Sequence, residues 1–483
     1  MPSVDHRHEP VAAVIVGCGA AGARMARHLA EAGKSVVVLE SGPAWTETHM
    51  VSSAAHARKL HWGGTPVASQ GDDPFAYTFN TGWGVGGAAL HHYGTWPRLQ
   101  EEDFQMRSRY GRGHDWPIDY DDLRPFYDRV QAEVGIAGDA EAEIWRPPGD
   151  PYPLKPLKTF AQADVLKRGF DQLGYHTAPM PMAILSEGYR GRPACIYDGW
   201  CDSGCPTGAL YNPLVQDVPR ARRAGADIRV RSTVFRVETD ARGYASAVLY
   251  RDGAGQVHRQ AADVIVLAGS VVQTPALLLN SADGGLANRS GAVGRYFMTH
   301  SAANVFGLFA EETEPYMGVT GTQLTCRDGY AKDGRDGAFG SYQWLIALAM
   351  KPNHLLGMAV ARADLFGPEL KAFLERAAHH IGSVMAMGED LPQWDNRVDL
   401  AGPPDAYGVR APRIVHGFDQ DGRRLWRHMV DEGLKIVQAA GAGEAWSGAM
   451  GTAHMLGGTI MGDDPNKTVA DSFGRTHDIP NLV

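Results

Sequence analysis

Three glycines with fixed spacing are placed to bind a dinucleotide. Gly17, Gly19 and Gly22 form a Gly-x-Gly-x-x-Gly motif directly after the apolar run Val11–Val16. In a strand–turn–helix unit, the first glycine permits a tight turn, the second lets the backbone approach a pyrophosphate, and the third allows close helix packing. Glu40 closes the next apolar run and is placed to accept hydrogen bonds from a ribose diol. An acidic residue there disfavours NADP, so the motif predicts FAD or NAD.

Three of the five cysteines lie close together in the chain. Cys195, Cys201 and Cys205 follow a C-x5-C-x3-C pattern, with Pro206 after the last. Thiolates at this spacing can share one metal centre, and Cys-Pro also occurs in bacterial iron–sulfur segments. Three ligands suit a [3Fe–4S] cluster, or a four-iron cluster with Asp198 as the fourth ligand. The alternatives are free or paired structural thiols, or zinc with a fourth ligand that is not evident.

The elements that would position the glycine motif form a complete βαβ unit. Val11–Val16 and Ser35–Leu39 are short apolar runs typical of buried parallel strands, and Ala23–Ala32 has a helical pattern ended by Gly33. A third buried strand is predicted over Asp263–Leu267, followed by a helix that opens at Ser270. The sequence therefore predicts an α/β (α+β overall) protein with a Rossmann-like dinucleotide-binding domain.

The rest of the chain predicts a second, mainly antiparallel domain. Asp252-Gly253 indicates a hairpin, and Pro219 is expected to break or kink a helix over 214–224. Further helices are predicted over 119–135, 161–173, 368–378 and 423–440, and antiparallel strands within 302–309 and 340–349. We assign 9–160, 206–300 and 450–483 to a discontinuous cofactor domain, and 161–205 with 301–449 to an inserted substrate domain.

Several further motifs resemble the glucose–methanol–choline (GMC) oxidoreductases and occur in that family's order. The resemblance is carried by the first βαβ unit and by residues 84–92, 96–98, 115–120, 264–280 and 454–465. It spans nearly the whole chain, and the motifs after residue 80 have no role in an NAD-dependent enzyme. The resemblance therefore implies an FAD-binding domain. The cysteine segment is similar to that of bacterial FAD-dependent glucose dehydrogenase catalytic subunits, which implies electron transfer from the flavin through a cluster to a cytochrome.

The resemblance also implies roles for individual residues. His454, in His-x-x-Gly-Gly-Thr, corresponds to the base that removes the hydroxyl proton of an alcohol. Gly86 and Gly87 belong to a flavin-contacting loop in which His91, with His92 as the alternative, matches a residue that some members link covalently to the flavin. We favour a non-covalent contact. Val234, Ala268 and Gly269 are the remaining residues expected to contact FAD.

Composition excludes several classes of protein. A formal net charge of −9 and 44% hydrophobic residues argue against nucleic acid as a partner and favour a sizeable globular core. No apolar run approaches the ~20 residues of a membrane span. Residues 1–10 are polar, unlike a secretory leader, so we expect a cytoplasmic location, with export on a signal-bearing partner as the alternative.

The chain departs from the family pattern at residues 479–483. In the resembled family a final strand begins here and carries a flavin-contacting Asp, and a following helix supplies an Asn or His that pairs with the base. Neither is present in the 483 residues. Three explanations fit this departure: a sequence truncated at its C-terminus, which we favour; a second chain that completes the site; or a protein that binds flavin poorly. If the chain is complete, we expect it to turn over much more slowly than an intact homologue.

Three functions follow from these patterns. The leading function is FAD-dependent oxidation of a CH–OH group of a sugar, sugar acid or polyol. Electrons would leave through an iron–sulfur cluster to a cytochrome or another acceptor. A small accessory subunit is an expected partner. The second is an oxygen-using oxidase without a cluster. The third is an impaired flavin-binding subunit.

Overall fold

The computed structural model describes residues 4–332 and 337–483. Within these ranges the strands are β1 (His6–Val16), β2 (Val36–Leu39), β3 (Ala68–Gln70), β4 (Ala178–Pro179), β5 (Asp227–Arg229), β6 (Thr233–Thr239), β7 (Ala245–Arg251), β8 (Val257–Leu267), β9 (Met298–Leu308), β10 (Leu324–Cys326), β11 (Tyr342–Ile346), β12 (Ile381–Gly388), β13 (Arg397–Ala401), β14 (Ala411–Val415), β15 (Glu444–Ser447) and β16 (Gly451–Leu456). The α-helices are α1 (Ala20–Glu31), α2 (Ala54–Leu60), α3 (Tyr77–Asn80), α4 (Met106–Tyr110), α5 (Tyr120–Val134), α6 (Ala161–Gln172), α7 (Asp217–Arg223), α8 (Ser270–Ser281), α9 (Pro352–Ala359), α10 (Pro368–His380) and α11 (Gln420–Ala439).

A six-stranded sheet carries the glycine motif. Its order is β5-β2-β1-β8-β7-β6, in which β5, β2, β1 and β8 are parallel and β7 and β6 are antiparallel. Val14, Ile15 and Ile265 are fully buried, as the apolar runs predicted. Residues 481–483 lie parallel to β8, and Val483 N donates to Ile265 O at 2.9 Å. The mixed α/β fold with a parallel dinucleotide-type sheet is confirmed.

Two strands of this sheet are longer than the sequence patterns predicted. β1 begins at His6 rather than Val11, because the polar segment before the apolar run pairs with residues 258–260 of β8. The predicted hairpin strand at 257–259 and the predicted buried strand at 263–267 are one continuous strand, β8. Its first half pairs with β7 and its second half lies beside residues 481–483, so backbone partners hold both halves extended.

A seven-stranded antiparallel sheet forms the second layer. Its order is β15-β9-β12-β11-β10-β4, and β16 pairs with the same edge of β9 as β15 but nearer the start of that strand. Helices α6 and α11 pack on this sheet around Trp344, which is fully buried. A third sheet of order β13-β14-β3 completes the fold. The predicted strands at 302–309 and 340–349 are not neighbours, because β12 lies between them.

Helix ends follow local chemistry. Asp119 caps α5 through a reciprocal bond with Asp122, and Gly135 ends the helix in a left-handed conformation with φ of 82°. The predicted helix at 214–224 is interrupted at Gln216, which is not helical, so that a 3-10 turn precedes α7. Pro219 lies in the first turn of α7, where no intrahelical partner for its nitrogen is needed. Across residues 4–332 and 337–483, no helix has the length and apolar character to cross a bilayer.

Candidate active site

A cavity of about 820 Å³ opens at the carboxyl ends of the parallel strands. Ligands of open parallel sheets bind at this edge, beyond the strand ends. Of the residues singled out in the sequence, those that line the cavity are Gly17, Gly19, Glu40, Gly87, Val234, Ala268 and Gly269. Gly22, Gly86, His91 and His454 lie outside the lining. The structure thus brings most of the predicted cofactor residues to one space.

The glycine turn has no room for side chains at two of its three positions. Gly17 has φ of +100°, and a Cβ there would lie 2.5 Å from the carbonyl oxygen of Ala268. A Cβ on Gly22 would lie 2.1 Å from the carbonyl oxygen of Gly17. Gly19 precedes α1 with no side-chain cap, so the first N–H groups of the helix are available to an anion. The turn therefore has the geometry that a pyrophosphate requires.

Glu40 joins three turns around the cavity. Its Oε2 accepts from Cys18 N at 2.9 Å, and its Oε1 accepts from Gly42 N at 2.8 Å and from Gly84 N at 3.2 Å. The side chain is buried, with 7% of the residue exposed. A carboxylate offers about four acceptor positions, so capacity remains for a ribose hydroxyl. The ribose contact itself stays a prediction.

The Gly84–Leu90 loop packs directly on the glycine turn. Gly86 N donates to Cys18 O at 2.8 Å, and a Cβ on Gly87 would lie 2.9 Å from the Cα of Gly19. Gly86 has φ of +107°, and a Cβ there would meet Leu90, on the side away from the cavity. Gly86 therefore shapes this loop, whereas Gly87 faces the space in which a cofactor would lie.

His91 lies just behind the same loop. Its Nε2 is buried and finds no hydrogen-bond partner in the described part of the chain, and its ring centroid is 4.8 Å from that of His61. Burial, with smaller contributions from His61 and His92, lowers the pKa of His91 to about 4. His92 points instead to the carbonyl of Tyr211, 2.7 Å from its Nε2. His91 is therefore neutral, and its covalent or non-covalent contact with flavin stays a prediction.

The opposite wall is formed by the ends of β6 and β8. Val234 lines the cavity and lies at an irregularity in the pairing of β6 with β7. Ala268 and Gly269 connect β8 to α8, and Gly269 N donates to Thr274 Oγ1 at 3.2 Å. Ser270 also lines the cavity and has φ of +84°, a left-handed conformation that is unusual for a non-glycine residue. The sequence motif did not single out Ser270 for this role.

His454 lies beside the cavity on β16, in a left-handed conformation with φ of 60°. Its neighbours Met455 and Gly457 line the cavity, and its ring stands edge-on to His300 with centroids 5.2 Å apart. Protein atoms around the imidazole reduce its hydration and lower the pKa of His454. Burial, and then the charge of His454, lowers the pKa of His300 to about 4. Both rings are therefore neutral at neutral pH.

A buried ion pair supports the strand that carries His300. Asp390 Oδ2 accepts from Thr299 N at 3.1 Å and lies 2.9 Å from His416 Nε2. Thr299 Oγ1 donates to Ala453 O at 2.8 Å, directly before His454. Burial raises the pKa of Asp390. Burial acts to lower the pKa of His416, but the hydrogen bonds and negative charges of Asp390 and Asp73 together outweigh it, so the pKa of His416 is raised. Sequence reasoning missed His300, Asp390 and His416, because no local motif links residues so far apart.

The three clustered cysteines share one hydrophobic cluster but do not form a ready metal site. Cys195 Sγ accepts from Tyr197 N at 3.3 Å, and Cys205 Sγ accepts from Leu210 N at 3.2 Å. Burial raises the pKa of Cys195 to about 11, and burial together with Cys205 raises that of Cys201 further. In residues 4–332 and 337–483, no three His, Cys, Asp or Glu side chains are assembled around a common metal position. The iron–sulfur cluster is therefore not established.

The cysteine segment nevertheless packs against the Gly84–Leu90 loop. A Cβ on Gly204 would lie 2.0 Å from Met50 Sδ and 3.6 Å from Leu90 O. Cys205 has φ of 53°, a strained conformation for a residue with a side chain. The cysteine segment and the cavity therefore lie on the two sides of a single loop.

A parallel sheet with a glycine turn and an acidic strand end has the geometry of a dinucleotide-binding site. The sequence profile of the GMC oxidoreductase family matches residues 11–302. The chain belongs to the GMC oxidoreductases, and it is an FAD-dependent oxidoreductase that acts on CH–OH groups. The preference for FAD over NAD, predicted from the motifs, is confirmed.

Relatives match over nearly the whole chain. The fructose dehydrogenase large subunit of Gluconobacter japonicus is 30% identical, over 97% of this chain and 91% of the relative. The gluconate 2-dehydrogenase flavoprotein of Pantoea cypripedii is 27% identical, over 99% of this chain and 89% of the relative. A formate oxidase structure from Aspergillus oryzae, solved to study FAD modification, superposes with a TM-score of 0.63 at 16% identity, over 100% of this chain and 93% of the other.

Proposed function

We propose that the protein oxidises a CH–OH group of a sugar, sugar acid or polyol, with His454 as the base. The observation that carries this proposal is the position of a neutral His454 directly beside cavity-lining residues, facing a second neutral imidazole, His300. A neutral imidazole can accept a hydroxyl proton near neutral pH. The substrate class is supported by the relatives, whose names specify fructose and gluconate.

The residues of the cavity fit FAD. When bound, FAD supplies the hydride acceptor for alcohol oxidation. The proposed pyrophosphate site is the turn of Gly17, Gly19 and Gly22 with the start of α1, and Glu40 holds the ribose diol. The backbone of Val234 would contact the adenine, and Gly87, Ala268 and Gly269 would contact the flavin, while Gly86 shapes the loop that presents Gly87. His454 takes the hydroxyl proton at a ring nitrogen and, edge-on to His300, is restricted in orientation.

We further propose that electrons leave through the cysteine segment. A [3Fe–4S] cluster bound by Cys195, Cys201 and Cys205 would pass electrons singly to a cytochrome. The packing of Gly204 near Leu90 supports this route, since it joins the cysteine segment to the cofactor loop. The N–H donors at Cys195 and Cys205 are of the kind that tune cluster sulfurs. Cluster binding requires the thiols to lose their protons and to move together.

An oxygen-using oxidase is the second candidate. It is favoured by the absence, among the described residues, of three ligating side chains already assembled around one position. In this case the three cysteines are structural, and reduced flavin is reoxidised by oxygen with formation of peroxide. Iron content and peroxide production distinguish the two functions.

The location of the protein follows from its electron acceptor. An acceptor in the cytoplasm favours retention there, whereas a cytochrome acceptor with a signal-bearing partner favours export. Fractionation of cells that express the chain alone or with a signal-bearing cytochrome partner tests a cytoplasmic location. Recovery only from the periplasm would contradict it.

Two measurements on the same purified sample test the cofactor proposal: a UV–visible spectrum before and after acid precipitation, and an iron analysis. Soluble flavin with about three irons per chain supports the cluster-bearing dehydrogenase. Flavin without iron supports the oxidase. Flavin retained in the pellet identifies covalent attachment, with His91 as the first residue to replace.

His454→Asn tests the base, with His379→Asn as a control at an exposed histidine on α10. We expect His454→Asn to bind FAD normally and to lose about 10²–10⁴-fold in kcat, the usual contribution of general acid–base catalysis. The control is expected to retain full activity. Equal activity of His454→Asn and the control would overturn the assignment of the base.

A further inference from the structure

Residues 402–410, which connect β13 to β14, reach across to the six-stranded sheet and close one end of the cavity. The Tyr407 hydroxyl donates to Gly255 O at 3.0 Å, and the Tyr407 ring centroid is 5.7 Å from that of Phe235. Phe235, near the start of β6, and Asp405 both line the cavity. The 402–410 hairpin therefore covers the cavity at the end where β6 begins.

Asp405 fixes the shape of this hairpin from within. Its Oδ1 accepts from Tyr407 N at 2.8 Å and from Val409 N at 3.0 Å, and its own backbone N donates to Val409 O at 2.8 Å. The other carboxylate oxygen, Oδ2, lies 3.5 Å from Arg251 Nη1. Asp405 thus holds the Tyr407 ring in place and also positions the side chain of Arg251.

Arg251 is the cation that this arrangement presents to the cavity. It ends β7 directly opposite Thr233, the residue before Val234 in β6. Its Cζ lies over the Tyr407 ring, 4.8 Å from the centroid, and the residue lines the cavity with 30% of its side chain exposed. A guanidinium is planar, so with Tyr407 on one face the other face is available to a second flat group.

We propose that Arg251 stacks on the adenine of FAD, and that the 402–410 hairpin holds the guanidinium there. The inference rests on the proposed placement of FAD, in which the backbone of Val234 contacts the adenine. Arg251 is beside Val234 in the strand pairing, so it faces the same part of the cofactor. Guanidinium planes stack well on nucleobases. The adenosine end of the site is therefore built from two distant parts of the chain.

A similar group of residues at the other end of the β6–β7 hairpin provides a matched comparison. Arg242 Cζ lies 5.3 Å from the Tyr244 ring centroid, and Arg242 Nε is 3.2 Å from Asp240 Oδ2. Arg242 is 80% exposed at its side chain and lies outside the cavity lining. The same three residue types therefore occur there without space for a ligand.

Titration calorimetry of flavin-free, full-length protein with FAD and with ADP tests the proposal. ADP carries the adenosine but no flavin. Arg251→Gln should bind both ligands about 3–30-fold more weakly, the range expected for loss of a cation over a flat ring. Arg242→Gln is the matched control and should bind both as wild type. Tyr407→Phe keeps the ring beneath the guanidinium and should stay close to wild type, whereas Tyr407→Leu should weaken both ligands.

The outcomes separate adenine stacking from misfolding and from the proposed oxidation of alcohols. Arg251 is partly exposed, and an unchanged thermal midpoint of flavin-free Arg251→Gln shows that the fold is intact. Equal FAD affinities of Arg251→Gln and Arg242→Gln would overturn the proposal. A loss of FAD affinity with unchanged ADP affinity would overturn it as well, because Arg251 would then act on another part of FAD. Neither titration contains an alcohol or an electron acceptor, so failure of the proposed oxidation leaves this result unaffected.

Discussion

Replacing Glu40 by Gln is expected to weaken the fold and the cofactor site together. The carboxylate accepts backbone N–H bonds from Cys18, Gly42 and Gly84. A glutamine can direct its oxygen to the two donors on the Oε1 side, but its NH2 group then faces the N–H of Cys18. That buried N–H loses its partner at a cost of about 1–3 kcal/mol, and two charged hydrogen bonds become neutral ones, at about 1 kcal/mol each.

The sum is about 3–5 kcal/mol of unfolding free energy. For 483 residues, an unfolding entropy of about 2 cal/mol/K per residue gives a lowering of Tm by ~3–5 °C, and by more when a smaller part of the chain that contains Glu40 unfolds by itself. The assay is thermal and urea unfolding of flavin-free protein, followed by FAD titration. Glu311→Gln is the control, because that side chain forms an exposed ion pair with Arg168. A Glu40→Gln variant with the same midpoint as Glu311→Gln would refute the reasoning.

Three further predictions follow from the site. Gly22→Ala should fail to fold correctly, because its Cβ would lie 2.1 Å from the carbonyl oxygen of Gly17. Gly19→Ala should fold and lose FAD affinity, because the nearest atom to its Cβ is 3.9 Å away. Circular dichroism and FAD titration distinguish the two variants, and equal folding of both would contradict the geometry. Because the pKa of His454 is lowered, the midpoint of the acid limb in the pH profile of kcat/KM should lie below the ordinary histidine pKa of ~6.5. A midpoint above that value would argue against His454 as the base. Asp390→Asn should destabilise the protein by about 3–5 kcal/mol at pH 6 by breaking the buried pair with His416. The pKa of His416 is raised in the folded protein, so its pair with Asp390 stabilises the fold fully below the pKa of an unfolded histidine. That stabilisation is lost as the pH rises through the folded pKa, so the difference in unfolding free energy between wild type and Asp390→Asn should narrow toward pH 9. A difference that stays constant with pH in urea unfolding would contradict this.

The parts of the molecule that sequence predicted well are those with local causes. Helix α5 follows from Asp119, Asp122 and Gly135, all of which act within one or two turns of the helix end. The glycine turn and Glu40 lie within one βαβ unit, so their spacing already indicates how they meet. The conformation at these positions could therefore be predicted without knowing the rest of the fold.

The parts that sequence missed depend on partners far away in the chain. The start of β1 at His6 depends on pairing with residues 258–260, and its polar side chains gave no strand signal. Strands β12, β15 and β16 are specified by their common partner β9 rather than by their own patterns. His300 meets His454 only because β16 pairs with β9, so no motif could have identified that imidazole.

The late pairing of β9 has a consequence for biosynthesis. One edge of β9 is covered by β12, but the other waits for β15 and β16, which begin at Glu444 and Gly451. About 140 residues must be added after β9 before that edge is paired, or roughly 7–30 s at ribosomal rates of about 5–20 residues per second. During this interval the nascent chain presents an open strand edge that another chain can pair with. Slower growth at low temperature or co-expressed chaperones should therefore improve the yield of folded protein, because they protect the open edge of β9 until β15 and β16 have been made.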